Sequence, residues 1–370
     1  MSMSRLAHFA TLCISAAVAC SFDALAQGHE TGGACWSAVE LAGKPGEKAI
    51  HRETYDPAIE PRNEVAQLAP VAPALRGSIR SVKLPPGEKL VALTFDLCEN
   101  AWEVSGYDAP IIDTLRKSGV KATFFASGKW LMDHSERAQQ LMADPLFEVG
   151  AHSWTHRNFR LLPPDEMRRD LALNLHADDH LRRKLSGRSC YRPGPGPVDA
   201  SRPLVFRFPF GTCNTEALDA VNDAGLLAIQ WDIPTGDPAP TQSAEAIAKS
   251  AAAAKPGSII VMHANGRGHH TAEALPRMIE ELRKRGFGFA TVSELIAKGE
   301  PVIKDSCYEL KPGDNVKYDK LFPLDRAHNA APPPVAGSKH APAPTGWGAD
   351  VKSTAPATTH PAAPITADRP

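Results

Sequence analysis

The sequence predicts an α/β domain built from parallel strands and crossover helices. Seven short apolar runs, rich in Val, Ile or Phe, recur between Lys89 and Val292, as buried strands do. Amphipathic stretches with helix start and stop signals separate them, which implies crossover connections. Ionisable residues fall at the C-terminal ends of the runs, the end at which parallel α/β folds do chemistry.

The runs are Leu90–Phe95, Ala122–Ala126, Phe147–Ala151, Leu204–Phe208, Leu226–Trp231, Ser258–Met262 and Phe287–Val292. Between the first two, Asp108 is placed to cap a helix with Pro110 in its first turn and Gly119 past its end. Asp165–Leu185 is a long polar-apolar repeat, and Asn214–Ala224 ends at Gly225. Gln242–Lys255 is Ala-rich and stops at Pro256-Gly257, and Thr271–Arg285 stops at Gly286. Gly187–Pro203 contains Cys190 and several prolines and reads as an ordered loop. Alternation alone leaves an open doubly wound sheet and a barrel equally open.

Outside this rhythm the chain divides further. Arg5, the apolar stretch Leu6–Ala19 and Ala24-Leu25-Ala26 have the pattern of a signal peptide over residues 1–26. Ala17-Val18-Ala19-Cys20 offers a rival, lipoprotein-type route through Cys20. Either route exports the protein to the periplasm or the extracellular space. Residues 27–80 read as an irregular extension, 81–300 as the main domain and 301–330 as a C-terminal extension. Residues 331–370 hold nine prolines among Ala and Thr and read as a disordered tail. A net charge of −1 with 22% charged residues excludes the basic excess of a nucleic-acid binder. After residue 30 no apolar run is long enough for a transmembrane helix. Export permits disulfides. Beyond the leader lie Cys35, Cys98, Cys190, Cys213 and Cys307, an odd number, so at least one lacks an intrachain partner. Cys35 and Cys307 flank the domain and are expected to pair, with at most one bridge among the other three.

Polar residues are costly inside strands, so their positions inform. The first run ends at Asp96, and the third leads into His152 and His156. The fourth holds Arg207, followed by Pro209-Phe210-Gly211. The fifth ends at Trp231-Asp232 with Asp237 beyond it, and the sixth ends at His263. With one helical turn after the third run, His152 and His156 face the same way, a common way to hold a divalent ion. Two histidines and a carboxylate from Asp96 leave coordination positions open for water, the catalytic kind of site. His269 and His270 sit in a Gly-rich loop near this mouth and stay ambiguous.

These motifs, in this order, resemble the polysaccharide deacetylases, carbohydrate esterase family four, which include the nodulation-type chitooligosaccharide deacetylases. Thr94-Phe95-Asp96 is similar to the start of the family's TFDDG motif, and His152–His156 to its HSxxH motif. Phe206–Gly211 resembles FRPPYG, Trp231–Asp237 resembles WDxDTxDW, Val261–His263 matches LxH, and Thr291–Leu295 resembles TxxEL. The likeness covers Lys89 to Ala297. It implies a distorted (β/α) barrel, often of seven strands. It also implies Asp96 as general base, His152 and His156 as metal ligands and Arg207 as the group orienting Asp96. The Phe210 N–H would serve the oxyanion, and His263 would be the general acid, oriented by Asp237. The cofactor implied is a divalent metal, with zinc first, and the partner is an N-acetylated glycan.

Three positions depart from the family pattern. Leu97 stands where the family has a metal-binding Asp, Phe210 replaces a Tyr and Pro238 a Trp. An anionic ligand in place of residue 97 is expected from Asp96, with Glu99, Cys98 or water as alternatives. The leading expectation is an exported, metal-dependent N-deacetylase of an N-acetylglucosamine-containing polysaccharide or oligosaccharide. The alternatives are a metal-free amidohydrolase on a small amide and a catalytically silent carbohydrate-binding protein.

Overall fold

The computed structural model describes residues 35–63, 65, 68–191 and 205–324. The leader, Cys20, most of the loop to Pro203 and the tail lie outside the described residues. Twelve strands are described: β1 (His51–Arg52), β2 (Ser78–Lys83), β3 (Leu90–Leu97), β4 (Glu103–Val104), β5 (Ala122–Ala126), β6 (Phe147–Ala151), β7 (Val205–Phe206), β8 (Leu227–Ile229), β9 (Ile233–Pro234), β10 (Ile259–His263), β11 (Gly288–Phe289) and β12 (Glu300–Lys304). The α-helices are α1 (Ala38–Leu41), α2 (Ala109–Ser118), α3 (Gly128–Asp133), α4 (Ser135–Ala143), α5 (Pro164–Ser186), α6 (Thr215–Asp223), α7 (Ala244–Ser250), α8 (Thr271–Lys284), α9 (Val292–Ala297) and α10 (Lys317–Leu321).

The main sheet runs β12-β2-β8-β7-β6-β5-β3-β10-β9, with β11 paired to the start of β3. Every pairing in it is parallel except β12 with β2. The sheet curls until β2 meets the segment before β10, through a bridge between Ser81 and Ser258. Val82 N–H donates to Gly257 O at this seam. A Cβ on Gly257 would sit 1.6 Å from Val82 O, so only glycine permits the approach. This is the distorted barrel that the motifs imply.

Its strand membership differs from the expected seven. The run at Phe287–Val292 supplies only the two-residue β11, because Thr291 leaves the strand to cap α9. The place beside the seam goes to β2, from the boundary of the segment read as irregular. Its Ile79 and Val82 are buried while the strand's last residue, Lys83, is exposed.

Alternation along β3 divides the core. Val91, Leu93, Phe95 and Leu97 join the apolar layer containing Ile111, Ile112 and Leu115 of α2. Ala92 belongs to the inner cluster with Ile79, Phe125, Val205, Ile229 and Val261. Val292 and Leu295 of α9 join that inner cluster, closing one end of the curl. Thr94 and Asp96 continue the inner face toward the other end.

The expected helices form, with one difference in how they start. Asp108 makes no side-chain cap bond to α2, and its carboxylate instead pairs with Lys48 at 3.0 Å. Gly119 ends α2 in the left-handed region at φ 58°.

The expected Cys35–Cys307 bridge is corrected. Cys35 pairs with Cys190 and Cys213 with Cys307, with Cα–Cα distances of 5.1 and 5.4 Å. The two flanking segments lie on different parts of the domain. The N-terminal one is held by Arg137, which donates to Glu47 and to the carbonyls of Glu40, Leu41 and Ala42. The C-terminal one is held by Arg80 on the carbonyls of Tyr308 and Glu309, and by Arg160 on Asn315 and Asp319. Cys35 therefore meets Cys190 in the turn after α5, and Cys307 meets Cys213 just before α6. Cys98 is the free cysteine among the described residues.

Candidate active site

Parallel register brings the expected acid and base side by side, since Asp96 of β3 lies opposite His263 of β10. Arg207 follows β7 and is fully buried. Its Nη1 donates to Asp96 Oδ1 and to Thr94 Oγ1, each at 2.8 Å. Its Nη2 donates to Gln230 O, and the guanidinium lies over the Phe125 ring at 4.1 Å. Burial pulls Arg207 below its ordinary value, and the Asp96 carboxylate works against that.

Asp237 grips His263 twice. Its Oδ2 accepts the His263 backbone N–H at 2.7 Å, and its Oδ1 lies 3.0 Å from Nδ1. Thr271 and Thr235 donate hydroxyls to the same carboxylate at 2.6 and 3.1 Å. Burial opposes a charge on His263, but the Asp237 carboxylate outweighs it and raises the imidazole well above its ordinary value.

His152 and His156 follow β6, their rings 4.9 Å apart. The helical turn expected between them is absent. Ser153 and His156 take φ values of 66° and 53°. Such a turn persists only where surrounding bonds determine it. Asp170 Oδ1 accepts Trp154 N–H at 2.6 Å, and Asn174 Nδ2 donates to Ser153 O at 2.7 Å. His152 Nδ1 lies 2.7 Å from Arg207 O, a carbonyl that only accepts. The proton therefore sits on Nδ1, and Nε2 turns a lone pair into the site. Burial lowers His156 toward its neutral form. Burial also opposes charge on His152, but Asp96 and Cys98 raise it.

The candidate anionic donors separate clearly. Leu97 is in the outer apolar layer. Glu99 is turned away, accepting from Ser105 N–H at 2.7 Å and from Lys129 Nζ at 3.2 Å. Asp96 Oδ2 lies 3.9 Å from His152 Nε2, while its Oδ1 is held by Arg207. Cys98 Sγ lies 3.4 Å from His152 Nε2. Among the described residues, two sets have donor atoms all within 4.8 Å of one another: Cys98, His152 and His156, and Asp96, Cys98 and His263.

Phe210 lies between Pro209 and Gly211 at φ 58°. Its ring packs on His156 at 4.5 Å and stacks on Phe322 of the C-terminal extension at 4.2 Å. That extension therefore walls the site, which the sequence did not signal. The sequence assigns no role to three other residues. Thr94 was signalled by its place two before Asp96. Asn265, two after His263, donates to Cys98 O at 2.6 Å. Arg267 donates to both Glu103 oxygens, at 2.5 and 2.6 Å. Glu103 also lines a cleft of about 450 Å³ with His51, Arg52, Glu53, Asn100 and Trp102. His269 meets the site through its backbone, donating to Asp237 O at 3.2 Å.

Residues 83–191, less than a third of the chain, match the sequence model of the polysaccharide deacetylase family. The resemblance to the polysaccharide deacetylases holds. A peptidoglycan-N-acetylglucosamine deacetylase of Bacillus cereus is 26% identical over 220 residues, covering 58% of this chain and 91% of that protein. The peptidoglycan-N-acetylglucosamine deacetylase PgdA of Listeria monocytogenes is 26% identical over 243 residues, 64% of this chain and 46% of that one. The chain thus spans about half the length of that relative. A solved CE4 family pseudoenzyme from Bacillus anthracis is similar at 26% identity and a TM-score of 0.48, over 61% of this chain and 70% of that one.

Proposed function

We propose that this protein is an exported, metal-dependent hydrolase that removes N-acetyl groups from an N-acetylglucosamine-containing glycan. The observation that carries the reading is the pairing of Asp96, oriented by Arg207, with His263, oriented by Asp237, on adjacent strands beside two histidines. The histidine pair fits a divalent ion, zinc first, because the carbonyl at His152 Nδ1 leaves Nε2 free to donate. When bound, such an ion supplies Lewis acidity toward an acetamide carbonyl and a water.

The chain's own groups do the rest. Asp96 takes the proton of the attacking water, held in position by Arg207. The Phe210 N–H donates to the oxyanion that develops on the former carbonyl oxygen. His263 gives its proton to the departing sugar amine, and Asp237 fixes its tautomer. Acetate and a glucosamine residue leave. The cleft with Trp102 and Arg52 suits neighbouring sugars, since indole rings offer an apolar face beside a polar tip. Export accords with the disulfides and with the peptidoglycan deacetylases among the relatives.

The test is acetate release from chitooligosaccharides and from peptidoglycan fragments, before and after exhaustive chelation. The expected result is release that chelation abolishes and zinc restores. Full activity after chelation would favour the metal-free amidohydrolase. Binding of the glycan without acetate release would favour the silent binding protein.

A further inference from the structure

We propose that the third protein ligand of the metal is the thiolate of Cys98, giving a two-histidine, one-cysteine site rather than one closed by a carboxylate. This rests on the metal-dependent reading above.

Strand geometry supplies the first argument. Side chains two apart share a face, so Thr94 and Asp96 of β3 point inward, and Cys98, just past its end, continues that row. Leu97 belongs to the opposite face and is buried in the apolar layer. The backbone at Cys98 is fixed from both sides. Asn265 donates to its carbonyl at 2.6 Å, and Ser127 N–H donates to Leu97 O at 3.1 Å.

Distances supply the second. Tetrahedral zinc, with Zn–S about 2.3 Å and Zn–N about 2.0 Å, holds sulfur and nitrogen about 3.5 Å apart. Cys98 Sγ and His152 Nε2 are 3.4 Å apart, and a His156 ring nitrogen is within 4.8 Å of both. The thiol is 3% exposed, and the four other described cysteines are committed to bridges.

The rivals are engaged elsewhere. Glu99 is held by Ser105 and Lys129, and one Asp96 oxygen is held by the buried Arg207. The second set, Asp96 with Cys98 and His263, would draw on groups already held by Arg207 and Asp237. Assigning the anionic ligand to Cys98 leaves Asp96 free for proton transfer. A soft thiolate also selects zinc over hard ions such as magnesium or calcium.

The experiment uses the full chain loaded with cobalt in place of zinc. A sulfur-to-cobalt charge-transfer band in the near ultraviolet is expected, with one metal per chain. Cys98→Ser should lose the band and weaken zinc binding by more than about 100-fold, beyond the usual effect of an outer-shell partner. Cys98→Asp should recover metal binding without the band, which guards against a simple folding defect in the serine variant. Bound zinc should also protect Cys98 from alkylation. A cobalt form without the band, or Cys98→Ser binding zinc as the parent does, overturns the proposal. So does an acetyl group trapped on Cys98, which would make it a nucleophile. An intact band with no acetate released from any glycan would uphold the ligand and overturn the deacetylase reading instead.

Discussion

Asp96 and His263 are each held by a buried partner, Arg207 and Asp237. Asp96→Asn and His263→Ala are each expected to lower turnover by about 10²–10⁴, the range for general acid–base groups, with circular dichroism unchanged. Near-normal turnover in either would remove that residue from the chemistry. Asp170 carries a different cost. Burial raises its carboxyl to about 6, against the partial relief of Arg157 and the Trp154 and Thr155 N–H groups. The unfolded value is about 3.9. The folded state therefore binds the extra proton between these values, and this group's contribution to stability falls as pH rises from about 4 to about 6. Asp170→Asn should flatten that part of the stability profile in metal-free protein, read from denaturant midpoints at several pH values. An unchanged slope would show that Asp170 titrates normally. The gathering of Asp96, His152, His156, Arg207 and His263 about one mouth was legible because charged and polar groups at strand ends are costly and therefore stand out. Cys98 shares the Asp96 face by the strand's two-residue period, whereas Leu97 turns to the apolar layer.

At the scale of elements, the long runs were legible and the short ones were not. Ala122–Ala126 and Phe147–Ala151 form strands with the expected bounds, being mostly apolar and each followed by a polar residue, Ser127 and His152. β7 and β11 last two residues each, too short for a period to develop. β2 lacks a clean alternation, since Ser78, Ile79, Arg80 and Val82 are all buried, and it lies next to a proline-rich segment, so no period marks it. The C-terminal extension illustrates packing that no local pattern encodes. Phe322 reaches Phe210, and Arg80 stacks on Tyr308 at 3.7 Å, across long stretches of chain. The Cys213–Cys307 bridge closes a loop with a sequence separation of 94. Cys307→Ser is expected to cost about 2–5 kcal/mol, measured by urea unfolding under oxidising conditions. It should also raise KM more than it lowers kcat, since it loosens a wall of the site rather than a reacting group. An unchanged KM would separate the extension from substrate binding.

At the scale of the whole molecule, the barrel closes by one bridge at Ser81 and Ser258, and each bridging cysteine reaches a partner far along the chain. Five thiols share the described chain, and four of them must be oxidised while Cys98 is spared. Four cysteines alone pair in three ways, and any of the five can be the one left over. Oxidative maturation is therefore a sorting problem, in which the residue at the heart of the site is also the most damaging one to mispair. A metal that claims Cys98 early would act as a protecting group. Refolding the reduced chain in a glutathione buffer is expected to give more of the correct two-bridge form with zinc than without it, read by non-reducing peptide mapping. The zinc-free product should carry Cys98 in scrambled bridges, and equal yields in both buffers would deny the metal that part in assembly.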